Sequence, residues 1–123
     1  MNGKVLLDTD IMIALLADDT AVKDNLVQCA EVFTAVTVIG ELYYGAQKSG
    51  RAGENLERVN ALALNMAVLD CDLETARWYG VVKSKLQQIG KPIPENDVWI
   101  AAIALQHQLK VITRDRHFRE VSN

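Results

Sequence analysis

An α/β fold built on a central parallel sheet is predicted by three features of the sequence. Short apolar, β-branched runs alternate with longer stretches of helical periodicity along the whole chain. The 123 residues suffice for one domain around one core. Acidic residues recur where strands would end and helices begin, and in parallel sheets that rim is the functional crevice.

The elements follow in order. Residues 4–7 read as a strand, and LLDTDIMI (6–13) ends it in Asp8-Thr9-Asp10 before apolar residues resume. Residues 10–17 read as a helix closing at Asp18-Asp19-Thr20. Residues 21–30 read as a second, with Val22, Leu26, Val27 and Ala30 on one face. The β-branched and aromatic run 32–36 is a second strand, and Thr37 is placed to cap the helix that carries Glu41, Leu42 and Tyr43 to about Gln47. A basic, glycine-containing loop (48–53) leads to an amphipathic helix over 54–65 with Leu56, Val59, Leu62 and Ala63 inward. Residues 67–69 form a third strand. Asp72 caps a long helix from Leu73 to about Ile89, stopped by Gly90. Lys91-Pro92-Ile93-Pro94 is extended, because residues before proline avoid the helical region. Pro94 or Glu95 opens the last helix, with Val98, Ala101, Ala102, Leu105 and Leu109 at helical spacing. Residues 110–113 are a fourth strand, followed by Arg114-Asp115-Arg116. No repeat, low-complexity tract or linker interrupts residues 1–123, so a single domain is expected.

Composition narrows the class. Half the residues are apolar and 24% are charged, which marks a globular chain. No apolar run approaches the roughly 20 residues of a membrane span, and the start lacks a signal-peptide layout. Cys29 and Cys71 stand far apart and outside any CxxC pair, so they read as buried thiols in a reducing cytoplasm. The net charge of −3 and pI near 5.3 speak against a nucleic-acid partner at first sight. Setting four acids aside around a metal, however, leaves 13 basic residues against 12 acidic. An acidic pocket inside a basic rim is compatible with the total.

The acids converge on the predicted scaffold. Asp8 and Asp10 lie just past the first strand, and Glu41 in the first turns of the helix after the second. Asp97 lies in the first turn of the helix opened by Pro94, and Asp115 just past the fourth strand. Burying carboxylates costs several kcal/mol apiece unless the charge is compensated. Any one of these acids is accounted for by helix capping, worth about 0.3–1 kcal/mol; their shared rim is the informative part. Hard oxygen donors without a His or Cys cluster suit Mg²⁺ or Mn²⁺ rather than zinc. Two such ions roughly 3.5–4 Å apart serve phosphodiester or phosphate-ester hydrolysis.

Asp8 in VLLDTDIMI, Glu41 in TVIGELYYG, Asp97 in PENDVWIAAIAL and Asp115 in VITRDRHF resemble the four acidic motifs of PIN-domain ribonucleases. The likeness is nearest to VapC-type toxins of bacterial toxin–antitoxin pairs, in motif order and spacing over nearly the whole chain. The resemblance implies a three-layer α/β/α PIN-like fold and Mg²⁺- or Mn²⁺-dependent cleavage of structured RNA, commonly tRNA. It also implies a homodimer and inhibition by a VapB-type antitoxin. On this reading Asp8 and Asp97 are direct ligands of one ion, and Glu41 and Asp115 complete the cluster directly or through water. Two features depart from the pattern. Asp10 stands where the family often has Asn and is read as a cap or a supporting residue. The chain ends at Asn123, where relatives commonly continue into a last short strand.

Around the acids, Thr9 and Thr113 could orient water or a carboxylate, and Asn96 caps or supports its helix. Arg114, Arg116, Lys48 and Arg51 could hold phosphate or be solvated surface charges. Tyr43 and Tyr44 could stack on an unpaired base or simply pack, while Trp78, Tyr79 and Trp99 read as packing. His107 reads as surface, and the chemistry needs no imidazole from His117. Two rivals remain. A haloacid-dehalogenase-like phosphatase would use Asp8 as nucleophile and Asp10 as acid/base, with Thr37 as its second motif; Met12 stands where its first motif wants Thr or Val, and Glu41 would have no role. A non-catalytic RNA- or protein-binding module would have no need of all four acids.

Overall fold

The computed structural model describes residues 3–114. It has the predicted three-layer α/β/α architecture around a four-stranded parallel sheet. The elements are β1 (Lys4–Leu7), α1 (Thr9–Leu16), α2 (Thr20–Leu26), β2 (Glu31–Ala35), α3 (Val36–Gln47), α4 (Ala52–Leu64), β3 (Ala67–Leu69), α5 (Leu73–Gln88), α6 (Glu95–His107) and β4 (Lys110–Ile112). The sheet order is β3-β2-β1-β4. From β1 the chain steps outward to β2 and β3, then returns to place β4 on the other side of β1. The strand order therefore reverses between β1 and β4, and the crevice outside their carboxyl ends is where such sheets bind ligands.

β1 lies inside the sheet, which explains its unbroken apolar run. Leu6 and Leu7 are fully buried, with Leu7 opposite Thr34 of β2 and Ile112 of β4. Thr34 is also fully buried, and its hydroxyl donates to the Leu7 carbonyl at 2.9 Å. That bond satisfies the one polar group the strand carries inward.

α6 is buried nearly all round, at Val98 and from Ile100 through Ala104. Between α5 and α6, the Thr75 hydroxyl accepts from the Asp72 amide at 3.0 Å and donates to the side-chain carbonyl of Gln106 at 2.5 Å; the Gln106 amide returns to Asp72 at 3.0 Å. The Thr75 amide first, then the Gln106 side-chain amide, hold the Asp72 carboxyl below the ordinary 3.8. A carboxyl whose folded-state value is depressed stabilises the fold at pH values above its unfolded value and loses that contribution as pH falls through the folded one. Asp72→Ala should therefore lower the melting temperature at pH 7, and the gap to wild type should narrow as pH falls below 3.8, followed by circular dichroism.

Several expectations shift. α3 starts at Val36 with Ala35 as its N-cap and no side-chain cap bond, so Thr37 lies inside the first turn. Its buried hydroxyl has no hydrogen-bond partner among the described residues. α2 stops at Leu26: Val22 is buried, but Val27 is 81% exposed and Ala30 falls beyond the helix. The expected helix ran four residues too far: Asp19 caps it through the Val22 amide at 3.2 Å, and it closes with Val27 as its C-cap. Leu105 of α6 is exposed, since the buried side of the helix is centred on Ile100 and Ile103. Gly90 ends α5 as expected, at φ +69, a left-handed conformation that glycine adopts without strain. Neither cysteine is fully buried: Cys29 is half-buried and Cys71 is exposed. Partial burial and the neighbouring Asp70 and Asp72 carboxylates raise the Cys71 pKa, which keeps it a thiol rather than a reactive thiolate. No helix among the described residues is long and apolar enough to cross a membrane.

Candidate active site

β1 delivers Asp8 to the crevice. Asp8 is 4% exposed and is the N-cap of α1. Its Oδ1 accepts the Ile11 amide at 3.1 Å, its Oδ2 accepts the Thr113 hydroxyl, and its own amide donates to the Ile112 carbonyl at 3.3 Å. A buried carboxylate is thus met by a helix N-terminus and a hydroxyl from the neighbouring strand's end. The cap expected of Asp10 is made by Asp8 instead. Asp10 is exposed in the first turn, because the helix begins at Thr9, one residue earlier than the apolar pattern suggested.

Glu41 arrives from the second turn of α3. Its Oε1 accepts the Thr9 hydroxyl at 2.5 Å and the Asn96 side-chain amide at 2.7 Å. Thr9 adjoins Asp8, and Asn96 adjoins Asp97 in the first turn of α6. Asp97 is half-buried there, with its amide donating to the Pro94 carbonyl at 3.0 Å. Hydrogen bonds and chain neighbours thus link Thr113, Asp8, Thr9, Glu41, Asn96 and Asp97 across the ends of β4 and β1 and the starts of α3 and α6. Thr9 and Thr113 orient carboxylates, one of the two roles read for them. Asn96 supports its helix by reaching Glu41 rather than by capping; Pro94 is the N-cap of α6 and makes no side-chain cap bond. Asp115, Arg116 and His117 lie outside the described residues.

The start of α6 is itself bracketed from α5, a feature the sequence reading missed. Glu95 accepts the Tyr79 hydroxyl and pairs with Lys83 at 2.9 Å, while Tyr79 stacks on Trp99 with ring centroids 4.2 Å apart. The i, i+4 spacing of Tyr79 and Lys83 was the available signal. Trp99 packs as expected.

The basic candidates are engaged locally. Arg114 pairs with Asp19 at 3.2 Å; the Val22 amide first, and then this guanidinium, hold the Asp19 carboxyl below its ordinary range. Arg51 lies 3.7 Å from Glu54, and the Lys48 ammonium sits 4.7 Å from the centre of the exposed Tyr44 ring. Half-buried Tyr43 donates to Asn60, which favours packing over base stacking. Beside Glu41, an open cavity of about 190 Å³ runs between α1, α3 and α4, lined by Ile13, Leu16, Leu42, Ala46 and Val59. Arg58, also in its lining, donates to the Leu16 carbonyl.

Among the described residues no three acidic, histidine or cysteine side chains gather into a metal cage. The donors on the rim are all hard oxygens, and Mg²⁺ keeps several waters and takes only one or two carboxylates from a protein. The donor chemistry fits such an ion.

A PIN domain family model matches residues 5–123. The tRNA(fMet)-specific endonuclease VapC of Shigella flexneri is 33% identical over 122 residues, covering 96% of this chain and 92% of that protein. Ribonuclease VapC2 of Haemophilus influenzae is 31% identical over 121 residues with the same coverage. Among solved structures, VapBC-5 of Mycobacterium tuberculosis, a member of the VapBC family of toxin–antitoxin systems, superposes with a TM-score of 0.76 at 30% identity, covering 94% of this chain and 88% of that one. With a family model spanning nearly every residue and ribonuclease relatives above 30% identity along almost their full lengths, the chain belongs to the PIN-domain family, among the VapC ribonucleases.

Proposed function

We propose that this protein is a metal-dependent endoribonuclease, a VapC-type toxin that cleaves structured RNA of the tRNA class and is restrained by a VapB-type antitoxin. The observation that carries the reading is the run from Thr113 through Asp8, Thr9, Glu41 and Asn96 to Asp97 at the β1/β4 crevice. The names of the relatives support the substrate class and the partner. The chain acts as one PIN domain over residues 1–123, in the cytoplasm, as a homodimer.

In this mechanism Asp8 and Asp97 would hold Mg²⁺ or Mn²⁺, and Glu41 and Asp115 would complete the acidic cluster. When bound, the metal supplies charge stabilisation for phosphodiester hydrolysis and activates water, in the manner of two-metal nucleases. The protein's share is placement. Thr113 fixes the Asp8 carboxylate against the start of α1, and Thr9 and Asn96 fix Glu41. Arg114, next to Thr113, supplies positive charge beside the rim, where phosphates are positioned without being read for sequence.

The phosphatase rival loses ground on three details. Met12 is fully buried in α1, Thr37 lies within α3 rather than at the end of β2, and Glu41 is tied into the rim. Trapping an aspartyl-phosphate on Asp8 would revive it. The deciding assay is cleavage of total RNA and of tRNA by the purified chain. Activity should require Mg²⁺ or Mn²⁺ and vanish in EDTA. Ca²⁺ should bind yet support little turnover, because its looser coordination misplaces the reacting groups. Cleavage in EDTA, or dependence on zinc, would remove the hard-oxygen site. Absence of cleavage with every metal would favour the non-catalytic binding module.

A further inference from the structure

We infer that Thr9 and Asn96 are positioning residues for Glu41, two donors from separate elements that hold one oxygen of its carboxylate and leave the other to a divalent cation. The inference rests on the acidic site proposed above and goes one step further, to the residues that give Glu41 its place in it.

Glu41 needs such support. It is an exposed side chain on a helix, with several rotatable bonds, and left alone it would sample many rotamers. Both donors converge on Oε1, Thr9 at 2.5 Å and Asn96 at 2.7 Å, and neither engages Oε2. Each donor is itself anchored. Thr9 opens α1 directly after Asp8, whose side chain caps that helix and accepts from Thr113. Asn96 follows Glu95, which is bound to Tyr79 and Lys83 of α5, and Trp99 one turn on stacks against Tyr79. A chain of contacts thus runs from α5 through the start of α6 to α3 and back to α1. Donors of this kind orient a carboxylate ligand, and their loss typically weakens metal affinity 10–100-fold.

A purely structural tie between α1, α3 and α6 would lower stability and leave cation affinity alone, so the two roles separate. Calorimetric titration of Mn²⁺ into the metal-free chain, without antitoxin, reads the first; melting temperature reads the second. Asn96→Ala and Thr9→Val should each weaken Mn²⁺ binding by about 10-fold, and Thr9→Ser, which keeps the hydroxyl, should bind as wild type does. In a Glu41→Ala background neither substitution should weaken binding further, since the group they position is gone. RNA cleavage at saturating Mn²⁺ should recover more fully in Asn96→Ala than in Glu41→Ala. If Asn96→Ala melts below the assay temperature, Asn96→Ser and the Thr9→Val/Thr9→Ser pair decide the question. Wild-type Mn²⁺ affinity in Asn96→Ala and Thr9→Val, with weakened affinity in Glu41→Ala, would overturn the positioning role and leave the acidic site standing. Further weakening by either substitution in the Glu41→Ala background would also overturn it. Wild-type binding and cleavage by Glu41→Ala would instead overturn the site reading beneath it.

Discussion

Asp8→Asn and Asp97→Asn should each reduce RNA cleavage by at least ~100-fold, the scale of loss when a group that stabilises developing charge is removed. The fold should survive both. Asparagine is as good an N-cap as aspartate, so Asn at position 8 keeps an acceptor for the Ile11 amide while losing the negative charge. Its melting temperature in metal-free buffer should stay near that of wild type, or rise if the crowded carboxylates repel one another. Asp8→Ala makes a useful contrast: it loses the cap as well, at about 1 kcal/mol, and should be both inactive and less stable. Gel assays on tRNA and thermal melts of all three variants check the pattern. Full activity in Asp8→Asn would take that carboxylate out of the mechanism, whatever its place in the fold.

The strands and most of the helices were legible because each carries its own signal. β1 reads as a continuous apolar run, α5 is announced by Asp72 and closed by Gly90, and Pro92 and Pro94 keep the residues before them extended. The parallel sheet followed from alternation alone, and with it the shared rim where Asp8 ends β1 and α3 and α6 begin. The errors fall where a tertiary contact decides. Thr37 looked like a cap, but α3 begins two residues sooner and buries its hydroxyl. Val27 has the right spacing for an inward face, yet α2 is too short to present one. The bonds that assemble the site were visible only as candidates. That Thr9 reaches 32 positions along the chain and Asn96 reaches 55 to meet at one oxygen follows from how α1, α3 and α6 converge, and no local pattern encodes it.

A small partner chain should copurify when this protein is expressed with its neighbouring reading frame, and binding should silence the nuclease. An unrestrained ribonuclease would harm its host, and the surface offers a partner two complementary handles. One is apolar: the cavity between α1, α3 and α4, with Ile13 51% exposed at its lining and Tyr44 66% exposed on the same α3 helix. An amphipathic helix laid along α1, α2 and α3 would cover these side chains. The other handle is ionic. Glu41 lines the same cavity and belongs to the acidic rim, so a segment seated in the groove has its next residues beside Asp8 and Asp97. An arginine there could pair with a carboxylate bidentately, which a lysine cannot, and would occupy the place of the cation. Replacing that partner arginine with alanine should weaken the complex roughly 30-fold or more, the cost of stripping one member from a desolvated charge pair. Excess Mg²⁺ should compete with the wild-type partner and less with the alanine variant. Ile13→Asp on this chain should weaken the complex while leaving cleavage of free RNA intact, because Ile13 is exposed and stands outside the acidic run. If no small protein copurifies, and cells tolerate the chain alone while it still cleaves RNA, the restraint is unnecessary and the protein is a housekeeping nuclease.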